Sequence, residues 1–300
     1  MVYSEERDDL VIIVRLTGGL GNQMFQYAAA RSLADRFSVP LRLDISDFES
    51  YFLRRYEIHD FAIRATIADD KELAPFRVKK NRLTLWQRIL RKTSLNRHKS
   101  LLAERSFAYD ERIEIVRPPV YLDGYWQSER YFSKNSDAIR SDFSLAKDLD
   151  NANAAIKNQI NSVCAVSVHV RRGDYVSDQR TNHYHGTCGV DYYNGAIKFI
   201  KQRVEHPHFF VFSDDHDWTK KNIACDAPTT YVTANSSKSG ILDMALMRQC
   251  RHHIIANSSF SWWGAWLNPL PDKIVIAPQR WFSHARHDTS DLIPGSWLKV

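Results

Sequence analysis

The run CAVSVHVRRGDYV ends an apolar stretch on two arginines, Arg171 and Arg172. Adjacent guanidinium groups pair with phosphate oxygens in forked, charge-assisted geometry, so the chemistry to expect here is recognition of a pyrophosphate. Strand alternation puts Val166, Val168 and Val170 on one face and Ser167, His169 and Arg171 on the other, so His169 and Arg171 point the same way. Arg172 follows at the strand's C-terminal end, and Gly173 permits a turn that brings Asp174 alongside. The competing reading is a structural arginine–aspartate pair at a strand end.

Two further groups carry chemistry. In GILDMALMRQCRHHIIANSSFSWWGAW, Asn257, Ser258, Ser259, Phe260 and Ser261 precede a helix, where small hydroxyls and backbone N–H groups without helical partners make a neutral cradle for an anion. Asp243 falls in the first turn of the preceding helix. It either offsets the helix dipole or accepts hydrogen bonds from the adjacent N–H donors of a guanine base. Trp262, Trp263 and Trp266 read as core. In RLTGGLGNQMFQYA, Gly18, Gly19 and Gly21 form a loop that admits close backbone approach, with neither the Walker nor the dinucleotide spacing. Asn22 is placed to cap the following helix, and with Gln23 it offers two amides suited to sugar hydroxyls.

Short apolar runs followed by turn residues and helical patterns must position these groups. They predict strands over residues 11–16, 41–45, 120–123, 165–170, 209–212, 253–256 and 274–277. Strands alternating with helices argue for parallel α/β sheets, and a polar, asparagine-rich stretch near 145–155 divides them into two sets. The expected architecture is two Rossmann-like domains, 1–150 and 151–300, facing each other across a cleft.

At 44% hydrophobic and 25% charged residues, the 300-residue chain has ordinary globular usage, which excludes disordered and fibrous classes. No apolar run approaches the ~20 residues that span a bilayer, and the first one follows an acidic stretch, so neither signal peptide nor membrane anchor is expected. Four cysteines without CxxC spacing point away from disulfides and zinc ribbons and toward a cytoplasmic protein. His183, His185 and Cys188 lack a fourth zinc ligand at suitable spacing. The net charge of +6 is concentrated from Arg77 to Arg105, where Leu83, Trp86 and Leu90 recur at helical spacing. A basic amphipathic helix there reads either as solvated surface or as peripheral contact with the inner face of a membrane or a phosphate-bearing acceptor. No spacing of a known nucleic-acid fold accompanies it, so no nucleic-acid partner is expected.

Taken together, GGLGNQMFQYA, HVRRGD and NSSFSWWGAW resemble the alpha-1,2-fucosyltransferase family, and GYWQSERYF, HGTCGVDYY and FSDD extend the likeness over nearly the whole chain. The resemblance implies a GT-B fold and inverting transfer of L-fucose from GDP-fucose, a substrate, to the 2-hydroxyl of a galactose-containing oligosaccharide or lipid-linked glycan. It implies a setting such as O-antigen assembly and neither metal nor cofactor. Carried over residue by residue, it puts Arg171 and Arg172 on the donor pyrophosphate, with Arg172 stabilising the leaving group. It puts His169 on the nucleotide and Asp243 on guanine. Ser258 and Ser259, flanked by Asn257 and Phe260, meet the phosphates. Asn22 and Gln23 contribute the other wall of the cleft, joined on the acceptor side by Tyr125 and Gln127 of GYWQ. For the base that accepts the incoming hydroxyl's proton, Asp174 is the first candidate by position and His185 the second. The Asp215-His216-Asp217 triplet has a cation-binding form, but the arginines already supply positive charge. The rival reading is a protein that binds GDP-sugar or glycan without turning it over.

Overall fold

A computed structural model describes residues 10–50, 54–76, 100–173, 176, 183, 186–236, 239–283 and 288–300. Five strands build a first sheet in the order β3-β2-β1-β5-β4: β1 Ile12–Arg15, β2 Leu41–Asp44, β3 Thr66–Ile67, β4 Ser100–Ala103 and β5 Val120–Asp123. Six more build a second sheet in the order β11-β10-β9-β6-β7-β8: β6 Cys164–Val170, β7 Pro207–Ser213, β8 Thr229–Tyr231, β9 His252–Ile254, β10 Val275–Ala277 and β11 Leu298–Lys299. Every pairing is parallel. Two all-parallel α/β sheets meeting across a cleft form the GT-B fold that the sequence predicts.

Each sheet reverses its direction of growth once, and at that switch two strand ends lie side by side with their following loops diverging. In the first sheet the switch is between β1 and β5, so the loop of Gly18–Gly21 neighbours the loop of Gly124–Gln127. In the second it is between β6 and β9, so Arg171 neighbours the loop of Asn257–Ser259.

The helices that position the site are α1 Leu20–Phe37, α2 Asn151–Asn161, α3 Val190–Lys201, α4 His216–Asn222, α5 Gly240–Met247 and α6 Ser259–Trp266. Alternation along β6 holds: Val166, Val168 and Val170 pack with Tyr193, Ile197 and Ile200 of α3, while Ala165 packs on the other face with Ile160 of α2 and Leu246 of α5. Helix α1 packs on α6 through a buried aromatic cluster in which Phe25 lies 4.5 Å from Trp262 and 4.9 Å from Trp263, ring to ring. All three tryptophans of α6 are core, as expected, and each indole N–H is satisfied: Trp262 by the Leu292 carbonyl, Trp263 by the Gly21 carbonyl and Trp266 by Glu129.

Two local expectations are corrected. Gly19, not Asn22, is the N-cap of α1, because the helix starts two residues earlier than the amide. Residues 100–103 of the basic run form strand β4, and the helix expected around Leu83, Trp86 and Leu90 lies outside the described residues. Among the described residues no helix is long and apolar enough to cross a membrane, and all four cysteines are free thiols.

Candidate active site

The two switch points face each other and enclose a cavity of about 870 Å³, within the size range of small-ligand sites. One side-chain oxygen bonds loops of both. Asn22 Oδ1 accepts from Gln127 Nε2 at 2.9 Å, which joins the β1 and β5 loops, and from Ser259 Oγ at 2.8 Å, which joins them to α6 of the other sheet. The approach is close enough to demand glycine. A Cβ on Gly21 would lie 2.4 Å from the Phe260 nitrogen and 2.5 Å from the Ser259 carbonyl carbon, both backbone atoms. Gly18 has φ of +76°, a left-handed conformation that costs L-residues energy.

The second sheet supplies a wall of His169, Arg171, Asp214, Asp243, Ser258, Ser259 and Phe260. As alternation requires, His169 and Arg171 both face the cavity. Asp214, just after β7, pairs with Arg171 Nη1 at 2.8 Å and accepts from the Arg172 backbone N–H at 2.8 Å, so the arginine is braced by the neighbouring strand. His169 is buried, its Nδ1 has no hydrogen-bond partner, and its ring is tilted against Phe260 at 5.2 Å. Burial pushes the imidazole below its ordinary value, with Arg171 acting in the same direction and Asp214 against it, so it is neutral near pH 7.

Asp243 is held by Asn235, whose Nδ2 donates to Oδ1 at 2.8 Å, and Asn235 is fixed in turn by a reciprocal amide pair with Asn153 at 2.8 and 3.0 Å. Burial pushes the Asp243 carboxyl up to about 6, and the bond from Asn235 opposes the shift. Ser258 is the N-cap of α6 with no side-chain cap bond, so the first N–H groups of that helix have no capping oxygen at the cavity edge.

The first sheet supplies the facing wall, including Asn22, Arg54, Glu57, Phe107, Tyr125 and Gln127. Tyr125 is fixed through its backbone N–H, which donates to Glu104 at 2.7 Å, and burial pushes that carboxyl up to about 7. Aromatic rings gather here from both halves of the chain: Phe107 stacks on Tyr125 at 6.2 Å and meets Phe282 at 5.0 Å.

Several sequence-predicted residues stand elsewhere. Arg172 does not line the cavity; its guanidinium sits 3.7 Å from the Trp218 ring centroid, with Nε donating to Asp215 at 3.3 Å, because consecutive residues leave a strand on opposite sides. Asn257 is buried outside the cavity and donates to the carbonyls of Gly186 and Trp281. Gln23 is also fully buried, and its amide bonds backbone, not cavity: Nε2 donates to the carbonyls of Gly18 at 2.9 Å and Arg55 at 2.8 Å, and Oε1 accepts from the Glu57 N–H at 2.9 Å. Asp174 and His185 lie outside the described residues. Asp215, the first member of the Asp-x-Asp triplet, caps α4 through the Trp218 N–H.

Sequence reasoning missed Arg54, Glu57, Asn235, Phe107, Trp281 and Phe282. Asp214 was within reach, because FSDD ends the strand that flanks β6. Glu57 follows no strand and carries no local signal.

The chain is 34% identical over 300 residues to alpha-1,2-colitosyltransferase of Escherichia coli, covering 97% of this chain and 99% of that protein. It is 35% identical over 310 residues to the O-antigen biosynthesis glycosyltransferase WbnK of Escherichia coli, covering 95% and 99%. Its fold is similar to that of an arginine-to-lysine mutant of Arabidopsis thaliana FUT1 solved in complex with GDP, with a TM-score of 0.54 and 10% identity over 89% of this chain and 70% of that one. Residues 3–299 match the glycosyl transferase family 11 pattern, and with relatives of that identity along its whole length the chain belongs to glycosyl transferase family 11.

Proposed function

We propose that the chain is an inverting alpha-1,2-fucosyltransferase that moves L-fucose from GDP-fucose to the 2-hydroxyl of a β-galactosyl acceptor glycan. In this reading residues 151–300 hold the donor and residues 1–150 the acceptor. The observation that carries it is one wall built for a guanine nucleotide diphosphate: the Asn235-held Asp243 carboxylate, the Asp214-braced Arg171 and the uncapped start of α6 line a single cavity. Guanine presents adjacent N–H donors that match a carboxylate, and the diphosphate matches a guanidinium fork beside helix N–H groups.

Transfer breaks the bond between the anomeric carbon and the β-phosphate oxygen, so negative charge grows on the departing GDP. Arg171 and the α6 N–H groups stabilise that charge from fixed positions, an effect worth about 3 kcal/mol per donor elsewhere. Neutral His169 has an unpartnered nitrogen that can bond the nucleotide or the sugar without adding charge.

A second donor has specific support. The likeness to alpha-1,2-colitosyltransferase over nearly the full length of both chains favours GDP-colitose, whose sugar is L-fucose without its 3-hydroxyl. Incubation with each GDP-sugar and lactose, followed by NMR assignment of the product linkage, separates the readings. GDP release with an alpha-1,2-fucosyl product supports the first, and turnover of GDP-colitose alone replaces it with the second. Calorimetric binding of GDP without release from either donor indicates a non-catalytic GDP-sugar binder.

A further inference from the structure

We propose that Glu57 is the general base of the transfer reaction, taking the proton from the acceptor hydroxyl as its oxygen attacks the anomeric carbon. This rests on the glycosyltransfer reading above. Donor recognition accounts for the wall made by the second sheet, and the wall left for the acceptor contains one carboxylate among the described residues, Glu57. The other two cavity carboxylates are occupied: Asp214 by Arg171 and the Arg172 N–H, Asp243 by Asn235 on the nucleotide side.

Glu57 is held in place although it follows no strand. The buried Gln23 amide bonds the Gly18 carbonyl, the Arg55 carbonyl and the Glu57 N–H, so one side chain clamps the glycine loop to the 54–57 segment. The Leu20 N–H in the first turn of α1, one residue beyond the N-cap, favours the charged form of the Glu57 carboxylate. Gln23 thus fixes the segment that carries Glu57 against the glycine loop, on the same cavity wall as Asn22, which bonds both Gln127 and Ser259.

The protonation state suits the role. Burial pushes the Glu57 carboxyl above its ordinary value, opposed by Arg55, Arg54, the Leu20 N–H and His59. A carboxylate shifted upward takes a proton more readily than one at its ordinary value. Across the cavity the titratable and charged groups are His169, Arg171, Asp214, His216 and Asp243. The step balances: the O–H bond breaks with its proton on Glu57, the oxygen–carbon bond forms, and the carbon–phosphate oxygen bond breaks with its electron pair on GDP.

The test compares wild type, Glu57→Gln and Glu57→Asp for kcat at saturating donor against pH, together with calorimetric binding of GDP. Saturating donor removes the acidic limb that Asp243 contributes through nucleotide binding. Glutamine keeps the size of the side chain and one carbonyl oxygen, and GDP binding by the variant reports that it folds. The expected result is a fall in kcat of about 10²–10⁴-fold in Glu57→Gln, with partial activity in Glu57→Asp. GDP affinity stays within about threefold, and the wild type's acidic limb in kcat is absent from the glutamine variant. A glutamine variant within about threefold of wild-type kcat, or one that keeps the acidic limb, overturns the assignment. Wild type that releases GDP from neither GDP-sugar overturns the transfer reading itself, and Glu57's role with it.

Discussion

The Arg171 guanidinium is held by Asp214 with both side chains largely covered, at 22% and 14% exposure, so phosphate oxygens entering the cavity meet a positioned donor set. Its chain neighbour stacks on Trp218 beyond the cavity wall. Arg171→Ala is therefore expected to lower kcat/KM by about 10²–10³-fold, the scale of one lost charge-stabilising donor, while keeping a cooperative thermal transition. Arg172→Ala loses a cation–π contact worth about 0.5–1 kcal/mol at exposed sites and costs less activity by at least about tenfold. Steady-state kinetics on the two variants decides the order, and equal losses contradict it. Asp243 gives a prediction of opposite sign in stability and function. Its carboxyl goes from an ordinary 3.8 to about 6 in the fold, so folding disfavours its charged form. That cost is absent below pH 3.8, grows between 3.8 and about 6, and is fully present above. Asp243→Asn should raise the stability of the nucleotide-free protein at pH 7 by about 1–3 kcal/mol while weakening GDP binding. In the unaltered protein GDP affinity should fall as pH drops through about 6. Thermal denaturation and calorimetry read both effects, and unchanged GDP affinity removes Asp243 from the base site.

At the scale of elements, catalytic geometry depends on how closely α1 approaches α6. The Gly21 carbonyl accepts from the Trp263 indole at 3.0 Å, and its Cα faces the backbone of Ser259 and Phe260. Backbone cannot swing aside as a flexible side chain does, so Gly21→Ala must separate the two helix starts. Overpacking of this kind typically costs about 1–3 kcal/mol. Moving the Asn22–Ser259 junction should also reduce kcat by about tenfold or more, because small displacements of positioned groups are expensive in rate. Chemical denaturation and kinetics on the same preparation check this; a variant of unchanged stability and turnover contradicts the close approach. The glycines, the alternation along β6 and the aromatic run of α6 were legible because each leaves a local pattern. In the sequence Asn22 has the signature of a cap because an amide near a helix start commonly is one, and only tertiary contact shows it reaching Gln127 and Ser259 instead.

Across the whole molecule, the seven strands expected from apolar runs all form, within two or three residues at their ends. The strands that went unseen include β3, β4, β8 and β11, short edge or near-edge pieces that are partly or fully exposed and so lack a continuous apolar signature. The site divides along the same physical line. Groups at strand ends, such as His169 and Arg171, are readable because the sheet dictates their direction. Glu57, Phe107 and Phe282 reach the cavity only through loops that the fold assembles. One nucleotide diphosphate should span this composite wall, and a crystal structure of the GDP complex shows whether it does. Guanine N–H groups are expected on the Asp243 carboxylate, with the β-phosphate within hydrogen-bond distance of Arg171 and the first N–H groups of α6. A nucleotide bound with its diphosphate out of reach of Arg171, or with its base away from Asp243, would contradict it.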